Sequence, residues 1–212
     1  MDTGEHESIS WVNLELHVYN HTEDHNHFPE SQPKPPLSRP NRAAFLNTAD
    51  GTLLALGYQD VPIFIWDALE VQVLGTVGQE MIPTAGLDCM VFHPNLDISM
   101  LLVAYQPGDL CLFDYNTMEM LVRRRRTYAT AIACSPDNQR VVIGNAQGAI
   151  EVFDLDLDCA AGRAMLTLVY RSSHPLDDTI RSIALSADGL RFVDIRNRTS
   201  ARLGTYRVGE KE

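Results

Sequence analysis

The chain has little of what a membrane protein or a nucleic-acid-binding protein needs. Its longest apolar runs, as in "TLLALG" and "SMLLVAY", hold about half a dozen residues, far short of the roughly 20 that cross a bilayer as a helix. Positive charge is scarce as well. Seventeen Lys and Arg stand against 28 Asp and Glu, a formal net charge of −11, which opposes general affinity for phosphate backbones or anionic lipid. There are four cysteines, Cys89, Cys111, Cys134 and Cys159. With no Cys-x-x-Cys pair and no zinc-finger spacing, they read as buried free thiols of a reducing compartment. The opening "MDTGEHESIS" is acidic and lacks the apolar stretch of a secretory signal, so a cytoplasmic location is expected.

What the chain does have is repetition. Gly57 to Asp67 reads "GYQDVPIFIWD", Ala104 to Asp114 "AYQPGDLCLFD" and Gly144 to Asp154 "GNAQGAIEVFD". These frames align without a gap, each closing on an aromatic and an aspartate: Trp66-Asp67, Phe113-Asp114 and Phe153-Asp154. Turn signals stand upstream, "TADG" at Thr48, "HPNL" at His93 and "SPDN" at Ser135, with a fourth, "SADG", at Ser186. Thr48 and Trp66 are 18 positions apart, Ser135 and Phe153 also 18, and His93 and Phe113 20. Spacing this regular marks a repeat architecture.

Each unit reads as strands. A short apolar segment such as "MVF" or "IAC" precedes the turn, an apolar run such as "RVVIG" follows it, and an alternating strand such as "AIEVFD" comes after a second turn. "LEVQVLG", "MEMLVR" and "AMLTLVY" supply a fourth, outer strand. Four antiparallel strands recurring about every 40 residues describe a propeller blade. The expected fold is therefore all-β, a partial propeller of about four blades at 43–80, 86–124, 128–171 and 179–204. An N-terminal segment (1–19) with a candidate strand at Val12–Tyr19, a Pro-rich linker (20–42) and a tail (205–212) complete the expected plan.

These residues carry a resemblance. The chain resembles WD-repeat proteins, with the aromatic-Asp pairs at the Trp-Asp position. The wording "GTLLALGY…IWD", "LLVAYQPGDLCLFD", "IACSPDN" and "IRSIALSADGLRFVDIR" is similar to the WD-repeat region of fungal NACHT-type signalling NTPases, over about residues 43–196. The resemblance implies a sensor or scaffold part in cytosolic signalling or nonself recognition. The chain departs from the family in three ways. The Gly-His dipeptide between blades is absent from "GTVGQEMIPTAGLD" and "RRRRTYAT", so the buried Asp-His-Ser-Trp hydrogen-bond chain is expected to be incomplete. In the fourth unit the Trp-Asp position is expected at Leu203-Gly204. No Gly-x-x-x-x-Gly-Lys-Ser/Thr phosphate loop occurs in the sequence, so an NTPase domain is not expected within these residues. Four blades also fall short of the usual seven or so, so two blade faces are expected to stay open and to offer a route to self-association.

Chemistry-bearing residues are dispersed. His17, His21, His25 and His27 with Asp24 form the densest candidate metal cluster, but on a strand running into a Pro-rich linker they read as solvated side chains, and no metal or cofactor is expected. Arg123–Arg126 reads first as a solvated blade edge that protects a strand from stray pairing, with an acidic partner and then nucleic acid as the lesser alternatives. "PKPPLSRP" reads as linker. Asp88, Asp109, His93, His174 and Ser135 lie on separate turns without a nucleophile elbow or a paired-carboxylate spacing, so no catalytic residue is assigned. Repeat alignment instead places Asp88, Thr130 and Arg181 just before first strands, and Tyr58, Tyr105 and Asn145 at the ends of second strands, around one rim. The expected function is a non-enzymatic module binding a protein or peptide there. Its rivals are a catalytic propeller with convergent carboxylates in a closed channel, and a fragment of a longer array.

Overall fold

A computed structural model describes residues 36, 39–49, 51–81, 86–136, 140–158, 163–172, 178–186, 191–197 and 201–205. The chain divides into two units, Met1–Lys34 and Pro35–Glu212, and every described residue belongs to the second. The expected strand at Val12–Tyr19 and the histidine cluster lie outside the described residues.

The second unit is all-β. Among the described residues, fifteen strands form four antiparallel sheets. Blade 1 holds β1 (Arg42–Asn47), β2 (Thr52–Gly57), β3 (Ile63–Asp67) and β4 (Gln72–Val77) in spatial order. Blade 2 holds β5 (Leu87–Phe92), β6 (Met100–Tyr105), β7 (Asp109–Asp114) and β8 (Glu119–Arg124). Blade 3 holds β9 (Ala129–Cys134), β10 (Arg140–Asn145), β11 (Ile150–Asp158) and β12 (Arg163–Arg171). Blade 4, among the described residues, holds three strands, β13 (Ile180–Leu185), β14 (Arg191–Arg196) and β15 (Ala201–Thr205). The inner strands pack in the order β1, β5, β9, β13, and β13 and β1 are not packed together as these neighbours are. The result is a partial propeller. No helix among the described residues is long and apolar enough to cross a membrane.

Strand periodicity explains the apolar runs. In β6, "MLLVAY", every residue is buried. Successive side chains point to opposite faces, and here both faces are covered. Leu101, Val103 and Tyr105 join the core shared with blade 1, while Met100, Leu102 and Ala104 join the core shared with blade 3. Phe113 and Phe153 are fully buried in the same two cores. A strand with one covered face looks different: in β14, Asp194 and Arg196 are buried whereas Val193 and Ile195 are exposed.

The small residue opening each frame belongs to a seam. A Cβ at Gly57 would overlap the Leu87 side chain of the next blade, and one at Gly144 would overlap Ile180. Ala104 occupies the same position in blade 2 and shares its core with Ala129, the first residue of β9. The frame thus begins where the following inner strand presses against its neighbour.

The fourth blade corrects one expectation. Ser135 and Ser186 build matching turns, each hydroxyl accepting from the amide five residues on, Arg140 and Arg191, at 3.0 Å. Arg140 pairs with Asp154 and Arg191 with Thr205. The aromatic-Asp position therefore falls on Gly204-Thr205, one residue later than Leu203-Gly204. A one-residue shift exchanges the two faces of a strand. Leu203 stands opposite Val193 on the exposed face, 75% accessible. The Phe192 ring covers Gly204, where a Cβ would overlap it, and so supplies from the neighbouring strand the ring that position 204 lacks.

Candidate binding cleft

The six rim positions have diverse environments. Tyr58 and Tyr105 are buried, their rings edge-on to Phe64 at 5.8 Å and Phe113 at 6.4 Å. Asp88 is half-buried and ties two blades: its carboxylate accepts from Gln106 Nε2 at 2.7 Å, and its carbonyl accepts from Arg42 Nε at 2.6 Å. The Thr130 hydroxyl donates across the next seam to the Ile180 carbonyl at 2.6 Å. Arg181 is exposed, and its Nε donates to Asn197 Oδ1 at 2.6 Å. Asn145 is buried at the tip of β10, where Oδ1 accepts from the amides of Gln147 and Ala149 at 3.1 and 2.9 Å.

The aspartates of the repeat signature organise turns. Asp67 Oδ1 accepts from the amides of Leu69 and Glu70 at 2.9 and 3.1 Å. Asp114 Oδ1 accepts from Asn116 and from the Ser99 hydroxyl, both at 2.8 Å. Asp154 lies 3.7 Å from Arg140. Trp66 is buried, and its indole Nε1 has no hydrogen-bond partner.

Three arginines of the run, Arg123, Arg125 and Arg126, are exposed as expected of a blade edge, and strand alternation sets Arg124 apart. Arg123 pairs with Asp109 at 2.6 Å, which raises its pKa. Arg124 turns the other way. It donates to the Leu166 carbonyl at 3.2 Å, and its guanidinium lies 4.7 Å from the centre of the Phe153 ring, joining blade 2 to blade 3. Arg125 and Arg126 are exposed in the connector to β9.

Asn145 is the one rim residue of the six that lines an open cleft of about 540 Å³ at the seam of blades 2 and 3. The connector contributes Arg126 and Tyr128, the β10–β11 turn contributes Asn145, Gln147 and Ala149, and the end of β12 contributes Arg171 and Ser172. Arg126 and Tyr128 both have left-handed backbones, φ 64° and 49°. Between them the buried Thr127 is fastened to the Gly108 carbonyl by its amide at 2.8 Å and its hydroxyl at 3.1 Å. Such conformations cost on the order of 1–3 kcal/mol each and persist only where the surroundings fix them. The turn is held from both sides. Its Ala146 amide donates to the Tyr128 carbonyl at 3.2 Å, and Arg196 and Thr179 of blade 4 donate to the carbonyls of Gly148 and Ala146, each at 3.0 Å. Opposite the turn, Arg171 engages buried Glu151 through both Nε, at 2.7 Å, and Nη2.

The groups whose proton affinity shifts upward through burial lie elsewhere. Burial pushes the thiols of Cys89, Cys111 and Cys134 up from an ordinary 9.0 to about 12. Nearby Asp88 adds to the effect at Cys89, and Asp109 at Cys111. The phenols of Tyr105 and Tyr115 are raised, also chiefly by burial. All three thiols are free.

Repeat alignment reached this cleft only at Asn145. Arg126, Tyr128, Gln147 and Arg171 come from three segments far apart in sequence. Only the arginine run hinted at them, and strand alternation divides that run.

No protein-family model and no curated protein matches the chain. Among solved structures, it is similar to the computationally designed Ika4 protein, at 18% identity and a TM-score of 0.61 over 82% of this chain and 95% of that one. At that identity the likeness is one of fold alone.

Proposed function

We propose that this protein is a non-enzymatic WD-repeat-type module that binds a protein or peptide partner at its rim. The observation that carries the reading is the cleft of about 540 Å³ between blades 2 and 3, within the usual range for ligand sites. Its walls are held by both adjoining blades, which lowers the ordering cost of binding. Asp88, Thr130 and Arg181, each the second residue of its blade's first strand, belong to the same reading. The resemblance to fungal NACHT–WD-repeat receptors supports a sensor or scaffold role in the cytosol. The test is selection from a random heptapeptide library displayed on phage. Wild-type protein should enrich a consensus, and the Arg126→Ala/Gln147→Ala variant, with the same unfolding midpoint, should lose it. Absence of any enriched sequence, or a consensus indifferent to those substitutions, rejects the cleft as the binding site.

A further inference from the structure

We propose, resting on the reading of the cleft as a peptide site, that its ligand is acidic: an Asp or Glu carboxylate of the peptide meets Arg126 and the outer edge of Arg171.

Charge sets the class. The cleft holds two guanidiniums, and the carboxylate of Glu151 beside Arg171 offsets one. One net positive charge remains, matched by a single carboxylate. A doubly charged phosphate would exceed it. In a chain of net charge −11, this positive mouth acts only within about a Debye length, roughly 10 Å at 0.1 M salt. It therefore selects a local acidic group rather than a polyanion.

Unspent donors set the geometry. Glu151 occupies Nε and Nη2 of Arg171, and that side chain is still 58% accessible, so its remaining edge is open to a ligand. Among the described residues no acceptor engages the side-chain donors of Arg126 and Gln147, and Asn145, 4% accessible, is engaged only through its Oδ1. A peptide carbonyl or carboxylate in the cleft would accept from its Nδ2. Tyr128, 42% accessible, offers the ring face against which the peptide backbone lies flat.

The experiment compares library selections on wild type, Arg126→Glu and Arg125→Glu, followed by fluorescence anisotropy of the enriched peptide and its Glu-to-Gln and Glu-to-phosphoserine analogues. Wild type should enrich Asp or Glu at a fixed position. The Gln analogue should bind about tenfold more weakly, and Arg126→Glu should weaken the acidic peptide by about tenfold or more. Arg125→Glu, outside the cleft, should leave the selection unchanged. Peptides enriched without acidic preference, or bound equally by Arg126→Glu, overturn this inference and leave a peptide site in place. A phosphoserine analogue bound ten times more tightly than the Glu peptide overturns the carboxylate assignment. Failure to enrich any peptide removes both the inference and the reading beneath it.

Discussion

Asp194 and Arg196 face one another on the same side of β14, both buried, with Nε to Oδ1 at 2.9 Å and Nη2 to Oδ2 at 3.2 Å. The same guanidinium reaches the Gly148 carbonyl at 3.0 Å. An ion pair within blade 4 thereby fixes a turn of blade 3 that forms one wall of the cleft. A buried pair gains little over a well-packed apolar pair, but breaking it strands a charge. Asp194→Ala should lower stability by about 3–5 kcal/mol, measured by urea denaturation. Asp194→Leu/Arg196→Leu should recover most of that loss, and its peptide binding should weaken because Gly148 is no longer held.

Trp66 is buried with an unpartnered Nε1, so part of its packing gain is offset by a desolvated donor, about 1–3 kcal/mol. Trp66→Phe keeps a ring and removes the donor. Its stability should stay within about 1 kcal/mol of wild type, whereas Phe113→Ala in the core of blades 1 and 2 should lose about 3–5 kcal/mol. Parallel urea titrations compare the two.

Val71 closes the β3–β4 turn with φ 52°, and Met118 closes the β7–β8 turn with φ 60°. A β-branched residue is poorly suited to the left-handed region. Val71→Gly should raise stability by about 1 kcal/mol, read as a higher thermal midpoint. Val73→Gly, at a buried strand position two residues on, should lower it.

The thiols at Cys89, Cys111 and Cys134 hold their protons to about pH 12 in the folded chain and to about 9.0 once unfolded. Above pH 9 the unfolded state loses protons first, so these groups favour unfolding progressively between about 9 and 12. Thermal midpoints should be level from pH 7 to about 8.5 and fall steeply beyond it. At pH 8 the native protein should react with a thiol-specific disulfide reagent at these three positions only after denaturant is added.

Much of the architecture was legible because propeller strands expose their period. Alternation in "IFIWD", "DLCLFD" and "IEVFD" marked β3, β7 and β11, and the spacing from Thr48, His93 and Ser135 marked the repeat. The last strand misled because Leu203 alternates as an inward residue should, yet its register turns it outward and gives the inner position to Gly204 under Phe192. Nothing local in β15 announces that a ring will arrive from β14. The rim was half legible. Equivalent repeat positions are equivalent backbone positions, but the side chains differ: Tyr58 and Tyr105 fold inward onto phenylalanines while Asn145 shapes a turn. The cleft escaped the sequence because it exists only where three distant segments meet.

The uncovered side of blade 4, with Val193, Ile195 and Leu203 exposed, also has a kinetic meaning. In a row of blades each unit is stabilised by its neighbours, and among the described residues the last blade shares one core, with blade 3. Amide hydrogens of β13–β15 should therefore exchange through a partial opening that leaves blades 2 and 3 intact. Because Arg196 and Thr179 leave the β10–β11 turn when blade 4 lifts away, ligand capture would be governed by the rate at which this end of the array breathes.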